Sequence, residues 1–499
     1  MAFLIGGANS AADTGYDVAN SCRFNDADTA YMHKTNSGSA SDGQKFTFSA
    51  WFKRGNNIGT SDDPTICGTN VDTSGNNFGY IVRITDDQLE FLRDYIGSSD
   101  QAHKKANHKL KDPHAWYHVV VAVDTTQGTA ANRNRCYLNG TEITSFATDT
   151  NYDQNDTTAF NRDKLHLIGA KKNEDAVNNH YEGYLAEVCM IDGTQYAASD
   201  FGEFDEDSPT IWKPKDVSGL TFGNNGFYLD FEDSANLGND KNGGTDLTEV
   251  NLAATDQSSD SPTNNFCTLN PLTLQDSDFV LSEGNLKISI GGNNERKAVL
   301  GTFGLTAGKW YWEVKYISTS GQAFSQIGIS DVIQGTEASS ENGKMGYFAY
   351  DYGYRGEKSS GSGGFKTNNG TYSNYGDAWT TGDIIGVAVD LDNNAIYFSV
   401  NGSFQASGAV GDPTSGASRT NATFNITAAS STGTGAYFPA IGKEDSDDPV
   451  FEFNFGGTNS ASFTISSGNA DANGYGNFEY APPSGYLSLC TKNLGSSGG

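Results

Sequence analysis

One device occurs twice in this chain: a valine-rich run ending in aspartate, a turn, and a second β-forming run ending in Asn-Gly. In the first half it is Trp116 to Asp124, then Arg135-Cys136-Tyr137-Leu138 running into Asn139-Gly140. In the second half it is Asp383 to Asp390, a turn through Asp392-Asn393-Asn394, and Ala395 to Val400 ending in Asn401-Gly402. Val, Ile and aromatic side chains suit a pleated surface, and Asn-Gly supplies the two positive φ angles of a type I′ hairpin turn. Antiparallel hairpins in both halves point to two related sandwiches.

The rest of the chain agrees. Phe46 to Lys53 alternates apolar and polar residues as a half-buried strand does, and Tyr80 to Ile84 and Leu89 to Leu92 flank Asp86-Asp87 as a hairpin. At 499 residues the chain is too long for one hydrophobic core. Its 59 glycines and 12% aromatic content describe many short strands joined by polar turns, and no long stretch carries helical spacing. The expected fold class is all-β, with two antiparallel β-sandwich domains of jelly-roll kind joined by a long ordered connector. The expected divisions are an N-terminal arm over 1–20, a first sandwich over 21–200, a connector over 201–270 that packs on the first domain, and a second sandwich over 271–499. An additional strand is expected near Gly226, because Phe227-Tyr228-Leu229-Asp230-Phe231 is an apolar island in that polar stretch.

The formal charge of −29, from 61 acidic and 32 basic residues, disfavours a nucleic-acid partner, since phosphate binding needs clustered Lys and Arg. No run of apolar residues is long enough to span a membrane, and Met1 to Ile5 lack the basic flank and long apolar core of a secretory signal. The six cysteines stand far apart without paired spacing, so buried free thiols are expected rather than a disulfide framework.

Six elements of the second half, in order, resemble a SPRY domain. They are Gly308 to Val314, Gln326 to Ile329, Tyr352 to Arg355, Thr381 to Asp390, Ile396 to Gly402 and Tyr437 to Ile441. The resemblance implies a two-sheet sandwich that binds proteins through loops without catalysis. The first half resembles a laminin-G/concanavalin-like sandwich on Trp116 to Asp124, Tyr137 to Gly140 and Gly183 to Val188. The pairing, with the arm Phe3 to Gly7 and the connector from Trp212-Lys213-Pro214 to Phe231-Glu232-Asp233, is similar to structural proteins of marine tailed phages. That implies a virion protein, present in several copies, whose partners are other virion proteins and a host cell-surface glycan or protein.

Concanavalin-like sandwiches also house glucanases, which need two carboxylates about 5–5.5 Å apart for retention. Glu203 to Asp207 and Leu229-Asp230-Phe231-Glu232 are near misses to the strand pattern that supplies them. The acids Asp26 and Asp28, and Asp445 and Asp447, are candidate calcium ligands or solvated acidic loops. Tyr347, Tyr350, Tyr352 and Tyr354 with Arg355 are either a ligand-binding face or partly core. The functional expectation is a non-enzymatic, fibre-associated or adhesin module for host recognition. A head decoration protein and a glycan-degrading enzyme are the alternatives. The arm, rich in Gly and Ala, is the expected particle anchor.

Overall fold

The computed structural model describes the chain apart from residues 1–3, 6–14, 37, 59–61, 72–78, 95–101, 174–175, 275–277, 292–297, 318–324, 332–344, 357–362, 444–447, 458–461, 467 and 498–499. Its contacts divide into two compact units, one of Ala12–Thr263 and a second of Asn264–Gly499 together with Met1–Ala11, in which the backbone of Leu4–Ile5 pairs with Phe303–Gly304.

In the first unit Trp116–Asp124 pairs antiparallel with Lys45–Arg54 on one side and Asn134–Leu138 on the other. Asn139 and Gly140 turn Asn134–Leu138 back into the short strand Thr141–Glu142 with φ of 46° and 75°, the doubly positive geometry of a type I′ turn. A Cβ on Gly140 would lie 2.3 Å from the Trp212 ring, so the turn needs glycine for space as well as for conformation. Lys45–Arg54 pairs on its far edge with Gly183–Asp192, and the sheet continues through Ser21–Phe24 to Gln257–Ser258. The facing sheet runs Phe146–Thr150, Ala102–Ala106, Gln88–Asp94, Gly79–Thr85, Thr65–Val71, Leu165–Ile168, Tyr31–Thr35, Thr248–Val250. The connector stretch thus supplies strands to both sheets of this unit. The strand expected near Gly226 is Phe227–Leu229, paired with Val188, Cys189 and Met190.

The strand Trp116–Asp124 divides its side chains by parity. Val119, Val121 and Val123 enter the core between the sheets with Phe46, Phe48 and Phe91. Val120 and Ala122 enter a second apolar layer with Phe201, Val217, Phe222 and Tyr228. The chain from about Ala198 to Tyr228 therefore covers the outer face of this sheet. That cover corrects the expectation of a half-buried strand: Lys45–Arg54 is buried from Phe46 onward. Lys53 is fully buried, and its ammonium lies 2.6 Å from Oδ2 of Asp260, while Trp116 Nε1 donates to Oδ1 at 2.9 Å. A charge taken out of water must find its opposite, and Asp260, beyond the covering segment in the chain, supplies it.

The second unit repeats the scheme. One sheet centres on Lys309–Tyr316 between Val450–Asn454 and Ile384–Asp390, with Ala395–Val400 beyond. The other runs Ala298–Leu300, Phe438–Lys443, Ser325–Ser330, Tyr352–Arg355, Gly364–Asn368, Thr371–Tyr375. Trp310, Trp312, Val314 and Tyr316 face the core. Tyr311 points the other way onto Phe478, with ring centroids 5.1 Å apart. Asn401 and Gly402 adopt φ of 47° and 78°. All six cysteines are buried free thiols.

Replacing Asp260 by Ala takes the carboxylate away from the buried Lys53 ammonium and should destabilise the first unit by about 3–5 kcal/mol, read by denaturant unfolding. A loss below about 1 kcal/mol would place the charge in contact with water.

Candidate functional site

The aromatic run of the second unit begins on a turn and ends in a strand, and that difference sorts its side chains. Tyr352 and Tyr354 lie in Tyr352–Arg355 with 4% and 0% exposure, their rings against Tyr437 and Phe424 and against Tyr375 and Phe398. Arg355 is buried too, its guanidinium over the Tyr372 ring at 5.6 Å. These three serve the sandwich. Tyr347 and Tyr350 are half-buried on the turn before the strand, and Phe348 between them is 36% exposed, with the Tyr347 ring edge-on to it at 5.5 Å.

The turn is held by one carboxyl. Asp351 accepts from Ser330 Oγ at 2.6 Å and from the backbone N–H of Phe348 at 3.2 Å. Asn368 donates its amide to the carbonyls of Ala349 and Asp351 at 3.0 and 2.8 Å, and Gly370 N–H reaches the Gly346 carbonyl at 3.0 Å. Burial pushes the Asp351 carboxyl up to about 7 against the pull of these donors. The result is a rigid tip that presents Tyr347, Phe348 and Tyr350.

The opposite end of the hairpin Gly364–Tyr375 borders an open groove of about 650 Å³, lined by Tyr375, Asp377, Phe404, Gln405, Ser407 and Val410 among others. Gln405 fixes its floor: Tyr375 Oη donates to its carbonyl at 2.7 Å, and its side-chain oxygen accepts from Asp377 N–H at 3.0 Å. Val410 is 71% exposed. Phe348 and Val410 are two of the four large apolar side chains exposed among the described residues. The fold places them at different ends of one edge hairpin rather than in one site. Sequence reading missed both. Phe348 stood among tyrosines that carried the signal, and the groove residues Ser403 to Val410 form no motif beyond a lone valine after a turn.

Residues 26–195 match the concanavalin A-like lectin/glucanases superfamily, and residues 309–458 match the SPRY domain family. The chain carries a concanavalin-like domain followed by a SPRY domain. A 128-residue stretch, 24% of this chain, is 33% identical to Ran-binding protein 9 of Xenopus laevis and covers 22% of it. Against Ran-binding protein 9 of Danio rerio the identity is 34%, again over 24% of this chain, with 20% of the relative covered. The chain therefore spans about a fifth of the length of the curated relatives it matches. Among solved structures, a human SPRY domain is 15% identical over 36% of this chain and 94% of its own, with a TM-score of 0.24. Stonustoxin is 18% identical over 38% and 27%, with a TM-score of 0.27.

In the concanavalin-like domain a serine and a histidine come within 2.8 Å, Ser49 Oγ and His118 Nε2. Trp212 Nε1 donates to His118 Nδ1 at 3.0 Å, so Nδ1 is the acceptor and Nε2 carries the proton. Ser49 must then accept, and His118 cannot take its proton. Burial also pushes His118 down to about 3. In the two near-miss motifs Asp205 is tied to Lys213 at 3.3 Å, and Asp230 and Glu232 are tied to Lys241 at 2.7 and 2.9 Å. Asp26 and Asp28 are exposed on a turn, with Asn25 donating to Asp28 at 2.8 Å. The described residues hold no group of three or more His, Cys, Asp or Glu arranged for a metal ion. Asp445 and Asp447 lie outside the described residues.

Tyr354→Ala should cost about 3–5 kcal/mol of stability, whereas Phe348→Ala should stay within about 0.5 kcal/mol, both measured by chemical unfolding. Because the folded state favours a neutral Asp351, that stabilisation is complete below the ordinary carboxylate range and is lost as pH rises through about 7. The SPRY transition should accordingly fall in temperature from about pH 5 to about pH 8, with Glu313, which burial also pushes up to about 7, sharing in the decline, and Asp351→Asn should remove about half of it. An unchanged slope in that variant would show that Asp351 ionises in its ordinary range.

Proposed function

We propose that this is a non-catalytic recognition protein of a tailed-phage virion, fibre-associated or part of an adhesin, that reads the host surface through its SPRY domain. The observation that carries the reading is the tip, where Tyr347, Phe348 and Tyr350 stand on a turn pinned by Asp351 and Asn368. Rigid aromatic side chains lose little conformational entropy on binding, which makes them effective anchors for a partner. The relatives that share the SPRY stretch are named Ran-binding proteins, and that likeness favours a protein as the partner at the tip over a glycan. The virion setting rests on the resemblance of the whole chain to phage structural proteins, with the Gly- and Ala-rich leading segment as the anchor.

Labelled full-length protein should bind saturably to cells of the propagating host, and Phe348→Ala combined with Tyr350→Ala should reduce that binding at least about tenfold while the chain stays folded. Protease treatment of the cells should abolish binding, and periodate should leave it intact. Undiminished binding by the double variant would remove the tip from the proposal, and periodate sensitivity would make the partner a glycan. Deleting residues 2–14 should leave both domains folded and prevent incorporation into particles; normal incorporation would place the anchor elsewhere.

A further inference from the structure

The concanavalin-like domain holds a primary amine against a carboxyl with water excluded from both. The side chains of Lys53 and Asp260 are 1% and 2% exposed, and Nζ lies 2.6 Å from Oδ2. The other carboxyl oxygen, Oδ1, accepts from Trp116 Nε1 at 2.9 Å. Val18, Trp51, Trp116 and Tyr184 form the apolar cluster on this face of the sheet, with the Lys53 ammonium 5.6 Å from the Tyr184 ring. The backbone of Asp260 is fixed as well. Its carbonyl accepts from Ser21 Oγ at 2.6 Å, and its N–H donates to Ser258 Oγ at 3.0 Å.

A third carboxyl stands on the same face. Gly183 and Tyr184 pair with Arg54 and Lys53, and Gly55 N–H donates to the Glu182 carbonyl at 3.0 Å. Glu182 therefore lies opposite Gly55, two residues along from Lys53, and alternate residues of a strand share a face. A Cβ on Gly55 would lie 2.4 Å from Glu182 Cγ and 3.0 Å from its Oε1. The glutamate thus fills the space that this glycine leaves beside Lys53. It is fully buried, and its Oε2 accepts from Asp26 N–H at 3.1 Å.

We propose that Lys53 and Asp260 condense into an isopeptide bond, with Glu182 carrying the proton, so that the first sandwich is closed covalently. The ion pair is the state before reaction. Burial disfavours both charged forms, which brings a neutral amine beside a neutral acid within reach. The proton on the Lys53–Asp260 hydrogen bond passes to Oδ2, and the Nζ lone pair attacks Cγ. The π electrons of the Cγ–Oδ1 bond move onto Oδ1, where Trp116 Nε1–H holds the developing charge. Glu182 takes one proton from Nζ and delivers it to the Oδ2 hydroxyl. The carbonyl re-forms, the Cγ–Oδ2 bond breaks, and Oδ2 leaves as water. No oxidant or cofactor is needed. The Arg54–Asp87 pair is buried to a similar depth, but a guanidinium stays charged and is no nucleophile.

The bond would join positions 207 residues apart, from a strand inside the sheet to the last segment of the domain. A cross-link of that span restricts the unfolded chain strongly. This inference does not depend on the SPRY tip or on a virion setting.

The test is the intact mass of the full chain, purified folded and held at neutral pH. The expected mass is about 18 Da below that of the sequence, the loss of one water. A proteolytic digest should then contain a branched peptide joining the segments around Lys53 and Asp260. Lys53→Arg keeps the charge and lacks the nucleophile, so it should show its full sequence mass. Glu182→Gln should leave most of the soluble, cooperatively folding protein at full mass. Full sequence mass in the unaltered chain would overturn the proposal whatever the variants do. A loss of one water that persists in Lys53→Arg would also overturn it, by placing the dehydration elsewhere in the chain. Complete condensation in Glu182→Gln would overturn the role given to Glu182.

Discussion

The structure depends on one constraint: in each unit, one sheet of the sandwich is buried on both faces. Gly183–Asp192 shows it most fully, since all of its residues are buried. A strand with one wet face can leave its polar side chains in water, but a strand covered twice must supply each with a partner. Asp192 therefore draws in three loops, accepting from Ser41 N–H, Asn225 N–H and the Asn161 amide at 2.7, 3.1 and 2.8 Å. In the SPRY domain Glu313 has the same role on the face beneath Phe478. It accepts from Tyr480 N–H and Glu479 N–H at 2.8 and 3.0 Å, and burial pushes it up to about 7.

This double burial also separates residues that hold the fold from residues free to act. Lys53, Asp260, His118 and Ser49 carry ionisable or nucleophilic groups, yet burial of the first sheet turns them into neutralised or hydrogen-bonded packing. Accessible chemistry is left to places where the cover ends. One is the turn before Tyr352, and another the open end of the hairpin Gly364–Tyr375.

Hairpins were legible because their signals are local. Trp116–Asp124 and the Asn-Gly turns follow from β-branched side chains and from positive φ, and neither needs knowledge of distant residues. The half-buried reading of Phe46 to Lys53 failed because strand alternation reports which residues share a face and is silent on what covers that face. The aromatic run was divided correctly only by tertiary structure. Tyr352 and Tyr354 are spaced for one face of a strand, and that face is the core. Phe348 is exposed because its turn is drawn outward by Asp351 and Asn368, which no spacing rule records.

By itself the sequence determined the β-class, the principal hairpins with their turn types, and the succession of a concanavalin-like and a SPRY domain. These rest on backbone preference and short-range pattern, which act over a few residues. Only tertiary structure decided that the stretch expected to pack on the first domain supplies strands to both of its sheets, that Lys53 meets Asp260, and that Glu187 meets Tyr16 and Tyr228. These contacts join positions 207, 171 and 41 residues apart. The partner of a buried charge is selected by the closure of the whole core around it, so nothing near either residue in the chain announces the other.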